Sequence, residues 1–249
     1  MSKKDLEQTL VLIKPDALKN SLTGYLLSTL SEFHSGLHFS GAKILHVHKM
    51  LAEEHYAEHK GKVFYPALLD YIMGRIHYAG EPWKQRVIAI VYQGRDAAKK
   101  IRAIAGPTNP LDARVEKPGS IRALGTLVPI KNEKGKVIAE RIDNIIHASA
   151  TNEEAEREIK LWFKPNEIPP LMHAYPTEIS QKFYYFKDGK LLLDREPGSI
   201  CVVAPDDMAW KSDLKTLRLL SQGKKASQTL ASVIAKYLIN ENRFDYLDG

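Results

Sequence analysis

From Thr9 to Ile13 the chain is a nearly unbroken apolar run that stops abruptly at Lys14-Pro15-Asp16. Such a run is expected of a strand buried on both faces, and its abrupt end puts Lys14 at a strand mouth. Leu26, Leu30 and Phe33 then recur at helical spacing, and Gly36 lies where a left-handed cap would end the helix. Ala42 to Met50 resumes an extended pattern, so the opening unit reads strand, helix, strand. Glu53 to Lys60 and Pro66 to Met73 read as helices, the second with proline near its start and Gly74 behind it. Val87 to Tyr92 reads as a further strand, and Asp96 to Ala105 as a helix closed by Gly106-Pro107.

Beyond this point the punctuation changes. Thr108 to Gly119 is rich in Pro, Gly, Asn and charge and is expected to be a long loop, of a kind that usually carries function. Between Ala123 and Asp143, Asn132-Glu133-Lys134-Gly135-Lys136 is flanked by Leu127, Val128, Val137 and Ile138, which predicts a hairpin with a solvated tip. Thr151 with Glu154 forms a capping-box pattern ahead of a helix whose inner stripe carries Ala155, Ile159 and Trp162. Glu158 falls on that stripe.

A carboxylate on a core-facing stripe is costly unless a partner takes its charge, and His147 lies just before the helix. A neutral imidazole is nucleophilic only where one ring nitrogen is unprotonated and the other is held by a hydrogen bond. Asn144-Ile145-Ile146-His147 with Glu158 therefore offers the chemistry of phosphoryl transfer through histidine. Taken alone, the pair leaves open that Glu158 flanks the stripe in solvent and that His147 is an ordinary histidine.

The chain has 249 residues, 44% of them hydrophobic, enough for one core with an appended element or for two small domains. The amino terminus lacks a signal-peptide pattern, and no stretch approaches the ~18 apolar residues of a membrane span. A soluble, cytoplasmic protein with no membrane partner is expected. The single cysteine, Cys201, excludes an intrachain disulfide framework, and its neighbours Ile200, Val202 and Val203 suggest a buried strand position. A net charge of +6 favours anionic partners; it leaves nucleic acid open, but no nucleic-acid-binding motif indicates it. The glycine-rich phosphate loop and the dinucleotide fingerprint are both absent.

Read in order, Ile13-Lys14-Pro15-Asp16, His55-Tyr56, Phe64, Thr108-Asn109-Pro110, Lys117-Pro118-Gly119-Ser120-Ile121-Arg122 and Asn144-Ile145-Ile146-His147-Ala148-Ser149 resemble the nucleoside diphosphate kinases. The resemblance runs from about Gln8 to Lys164, with an outer limit near Tyr184. It implies an α+β, ferredoxin-like antiparallel sheet covered by helices. It also implies a ping-pong reaction in which a nucleoside triphosphate phosphorylates histidine and a diphosphate then takes the phosphoryl group. His147 matches the family's nucleophile, with Glu158, Tyr56 and Lys14 as the other catalytic positions. Lys14, His59, Phe64, Arg102, Thr108, Arg122 and Asn144 match positions that form or support the nucleotide site. Arg102, Arg122, Thr108 and His59 would clamp the transferred group, where charge develops on the peripheral oxygens. Phe64 would stack on the base, Lys14 and Asn144 would bond sugar or phosphate, and Tyr56 would lie beside the nucleophile. Mg2+ would be carried mainly by the nucleotide phosphates, with no protein cage. A homo-oligomer is implied as well.

Three features depart from the family pattern. Ala150 stands where an acidic residue is usual, and Ala148 replaces a glycine. Extra residues occur around Ile76 to Gln85, within Ala113 to Glu116, and between Ala123 and Asp143. The kinase-like unit is expected over residues 6–182, followed by a small α/β extension over 183–249. That extension has a hairpin signal at Asp188-Gly189, a strand at Ile200 to Ala204, and helical stretches at Asp206 to Leu220 and Lys224 to Asn240. Leu214, Leu217, Arg218 and Leu220 are expected to dock the first of these on the kinase core.

Two rival readings remain. His55-Tyr56-Ala57-Glu58-His59 fits the H-x-x-E-H pattern of inverted zinc peptidases. The departures and the long tail would also suit a catalytically weak nucleotide-sensing or assembly protein of the same fold.

Overall fold

The computed structural model describes residues 7–239. In chain order it contains β1 (Glu7–Ile13), α1 (Pro15–Lys19), α2 (Thr23–Thr29), α3 (Glu32–Ser35), β2 (His38–Leu45), α4 (Lys49–His55) and α5 (Tyr65–Ile72). There follow β3 (Val87–Gly94), α6 (Ala97–Ala105), α7 (Pro110–Glu116), β4 (Thr126–Lys131), β5 (Val137–Asp143), β6 (Ile146–Ala148) and α8 (Asn152–Trp162). The main sheet has four antiparallel strands in the order β2-β3-β1-β6, the α+β, ferredoxin-like arrangement that the resemblance implied.

The apolar run in β1 has a simple cause. Successive side chains of a strand point to opposite faces, and here both faces are covered. Val11 and Ile13 pack with Ile90, Tyr92 and Ile101 on one side. Leu10 and Leu12 pack with Leu51, Ile159 and Trp162 on the other. On β6, Ile146 and Ala148 belong to the first of these clusters, so His147 between them points toward α4 and α8.

Several expectations need correction. Phe33 is 92% exposed; only Leu26 and Leu30 of its triplet are buried. The strand expected at Ala42 to Met50 is displaced toward the amino terminus, and Lys49 and Met50 begin α4 after His48 caps it. Thr108 to Gly119 is not one loop, because the Asn109 side chain accepts from Leu111 N and Pro110 opens α7. Cys201 lies on a strand but is exposed.

The extension contributes β8 (Tyr184–Lys187), β9 (Lys190–Leu192), β10 (Ile200–Val203), β11 (Met208–Trp210), α9 (Lys211–Ser221) and α10 (Leu230–Ile234), preceded by β7 (Thr177–Ile179). The hairpin at Asp188-Gly189 joins β8 to β9 as expected. The first helical stretch starts later than Asp206, which has φ 69° and belongs to a turn before β11. The second shrinks to α10 and a short helical turn at Ala235–Tyr237, and Asn240 lies outside the described residues. Leu214 and Leu217 of α9 fill the extension's own cluster, with Phe186, Val203 and Ile234. Docking on the main core falls instead to Trp210 and Ala235. Trp210 Nε1 donates to Phe163 O at 2.8 Å, and His48 Nε2 bonds Ala235 O at 3.0 Å. The β7–β11 pair joins residues on either side of position 182. No helix among the described residues is long and apolar enough to cross a membrane.

Candidate active site

His147 sits on β6 opposite Leu12 of β1, and its Nε2 lies 2.7 Å from Glu158 Oε2 on α8. Helical spacing puts Glu158 beside Ala155 and Ile159 on the buried face, where only 3% of it is exposed. Burial alone would raise its pKa, but the charge and hydrogen bond of His147, with His55 and the Ser149 hydroxyl, hold it down at about 2. Ser149 Oγ donates to Glu158 Oε2 at 2.6 Å. An ionised Glu158 can only accept, so Nε2 of His147 carries a proton, which in the neutral imidazole leaves the lone pair on Nδ1.

A second histidine supports this pair. The His55 ring lies 4.5 Å from that of His147 at an interplanar angle of 77°. Trp162 Nε1 donates to His55 Nδ1 at 3.2 Å. Burial, then the neighbouring His147, pushes the His55 pKa well below its ordinary value, so the ring is neutral and its Nε2–H has no partner among the described residues. The zinc pattern does not form. Helix α4 ends at His55, and His59 falls on a separate short turn with Nδ1 bonded to Lys62 Nζ at 2.8 Å. The grouping able to hold a metal among the described residues is His55, His147 and Glu158, without His59.

Lys14, at the mouth of β1, is buried and donates to Asn144 Oδ1 at 2.7 Å. Burial is the main reason that its pKa is pulled down to about 8. Asn144 in turn donates to Thr108 O at 2.9 Å. Arg122 is buried, donates to Gly106 O at 3.1 Å and Ile146 O at 3.5 Å, and has an Nε without a partner among the described residues. Burial, then the nearby Arg102, lowers its pKa to about 10. Gly106 has φ 84°, and a Cβ there would lie 2.3 Å from Ser120 Oγ, so this crossing requires glycine. Arg102 reaches Ala148 O at 3.4 Å from α6. Phe64 is half-buried and stands edge-on to His59 with ring centres 5.6 Å apart, which distinguishes it from a core phenylalanine. Tyr56 is buried, its hydroxyl has no partner among the described residues, and burial raises its pKa.

His147, Glu158, Tyr56, Lys14, His59, Phe64, Arg102, Thr108, Arg122 and Asn144 all line one cavity of about 410 Å³. A family model for nucleoside diphosphate kinase matches residues 7–168. The chain belongs to the nucleoside diphosphate kinase family. It is 42% identical to the nucleoside diphosphate kinase of Pyrococcus furiosus over 164 residues, 66% of this chain and 87% of that one. It is 41% identical to that of Staphylococcus aureus over 164 residues, 66% of this chain and 91% of the relative. The Aquifex aeolicus nucleoside diphosphate kinase structure superposes with a TM-score of 0.51 and 30% identity, covering 66% of this chain and 99% of that chain. The Borrelia burgdorferi nucleoside-diphosphate kinase, a transition-state mimic with bound vanadate and ADP, gives 0.51 and 31%, covering 67% and 92%.

Within this nucleoside diphosphate kinase fold, some lining residues escape sequence reasoning. Glu140, Arg141 and Ile142 reach the cavity from β5, and Arg157 and Glu154 from α8. Asp16 and Ile145 also matter: Ile145, two residues before His147, has φ 72°, rare for a β-branched residue, and its N–H is held by Asp16 Oδ2 at 2.9 Å. The Pro-Asp pair after the first strand signals a turn but not this bond.

Proposed function

We propose that this chain transfers the terminal phosphoryl group of a nucleoside triphosphate to a nucleoside diphosphate in two steps through His147. The 2.7 Å contact between His147 Nε2 and Glu158 Oε2, at the wall of a cavity lined with cations, carries this reading. Nδ1 of His147 forms a bond to the terminal phosphorus while the bond from that phosphorus to the bridging oxygen breaks, and the diphosphate leaves. An oxygen of the acceptor diphosphate then attacks the phosphorus, the N–P bond breaks, and the imidazole is restored. Glu158 stabilises the positive charge that develops on the ring. Arg102, Arg122, Thr108 and His59 surround the peripheral oxygens, and Lys14 and Asn144 bind sugar or phosphate. Phe64 supplies a flat platform for the base and explains acceptance of many nucleosides.

Magnesium fits as a passenger of the phosphates. The metal-capable grouping, two imidazoles and one carboxylate, suits softer ions, whereas Mg2+ prefers oxygen donors and keeps several waters. Carried by the phosphates, Mg2+ would neutralise part of their charge. At the Ala150 end, Glu154 accepts from Ala150 N at 3.0 Å and lines the cavity, so a carboxylate stands there although Ala150 itself brings none. A homo-oligomer is part of the proposal: β2 is an edge strand with Phe39 and Ile44 exposed. So are a cytoplasmic location and a division into a kinase unit over 6–182 and an extension over 183–249. Initial rates with varied donor and acceptor test the reaction: parallel double-reciprocal lines are expected, and intersecting lines would overturn the two-step scheme.

A further inference from the structure

The hairpin β4–β5 lies outside the main sheet, yet it walls the nucleotide cavity. Asp143 ties its end to the body through His77 Nε2 at 3.1 Å and also accepts from Arg141 of the same strand, Nε at 2.6 Å and Nη2 at 2.9 Å. His77 belongs to the other stretch of extra residues, so this bond ties the two stretches together. Strand β5 packs against α5, which Phe64 precedes and which carries Leu68. Glu140 and Ile142 are two residues apart on β5 and therefore point to the same side. Both line the cavity, as do Phe64 and Leu68. With His147, Arg102 and Arg122 assigned to the phosphoryl group, Phe64, Leu68 and Ile142 are the apolar lining left for the base.

Glu140, exposed on β5, adds a carboxylate to the lining on the same strand face as Ile142. Arg141 is committed to Asp143, and Glu140 has no ion-pair partner among the described residues. A carboxylate only accepts hydrogen bonds. On its Watson–Crick edge guanine offers N1–H and the 2-amino group side by side. Adenine and cytosine set a ring-nitrogen acceptor beside their amine, and uracil flanks its N3–H with two carbonyls; each of these repels one carboxylate oxygen.

The geometry points to Glu140 as a specificity residue that favours guanine nucleotides, which rests on the reading of this cavity as the nucleotide site. Stacking on Phe64 admits every base, and Glu140 adds a preference among them.

The test compares kcat/KM for GDP, IDP and ADP as acceptors, with ATP as donor, in wild type, Glu140→Gln and the hairpin-tip control Glu133→Gln. Wild type should rank GDP above IDP above ADP, because IDP keeps N1–H and lacks the 2-amino group. Glu140→Gln should cut the GDP-to-ADP ratio on the order of tenfold, since an amide pairs with adenine and loses one acceptor toward guanine. Glu133→Gln should leave the ratio unchanged. A wild type in which IDP equals GDP, or a Glu140→Gln ratio equal to wild type, overturns the inference alone. A wild type that forms no phosphoenzyme from ATP overturns the parent reading and this inference with it.

Discussion

Asp16 Oδ2 accepts the backbone N–H of Ile145 at 2.9 Å, tying the turn after the first strand to the residue that launches His147. On the other side, Lys14 N donates to Ile145 O at 3.0 Å. Ile145 is thus gripped through both its peptide groups while its φ is 72°, and a conformation of this kind, costing about 1–3 kcal/mol, persists where its surroundings over-determine it. Asp16→Ala should cost about 1–3 kcal/mol through the orphaned buried N–H, read as a lower denaturation midpoint. The rate of phosphoenzyme formation should fall as well. Asp16→Asn, which keeps an acceptor, should recover most of both; equal losses in the two variants would contradict the clamp.

Glu158→Gln should be more damaging than a loss of charge suggests. The new amide can donate to His147 Nε2 and so favour the tautomer with its proton on Nδ1, which has no lone pair to attack with. Single-turnover phosphorylation should slow by about 10²- to 10⁴-fold, while nucleotide affinity changes little. An unchanged rate would remove Glu158 from the proposed mechanism.

Lys14 gives the pH profile its alkaline limb. With a pKa lowered to about 8, the amine is a cation below that pH and neutral above it. The kcat/KM for nucleoside triphosphate should therefore fall as pH rises through about 8. Lys14→Met should lie lower and lack that limb; a limb that survives the substitution would assign the titration to another group.

The extension is welded to the kinase core by Trp210, which is fully buried and bonded to Phe163 O. Trp210→Ala should destabilise the full chain by about 3–5 kcal/mol, measured by denaturant unfolding. A loss under about 1 kcal/mol, well short of the cost of a buried aromatic, would mean that the extension docks without this anchor.

The layout of the core was legible because it rests on local periodicity: the run in β1, the stripe on α8 and the left-handed cap at Gly36 need no partner to be recognised. The length of α7 was hidden by composition, although Asn109 followed by Pro110 is itself a helix-start signal. The part played by His55 was not legible, because its tautomer is set by the bond from Trp162, 107 residues away. The same holds for the extension. Periodicity in α9 identified an amphipathic helix, but which surface Leu214 and Leu217 cover depends on how Trp210 and Ala235 fold back on the core.

The central claim is that His147 carries the phosphoryl group. Wild type and His147→Ala, each incubated with magnesium and terminally labelled ATP and then chased with GDP, test it most directly. Acid-labile label on the wild type alone, leaving as GTP, is the predicted result; label or full turnover in His147→Ala, or a wild type that binds nucleotide and takes no label, would contradict it.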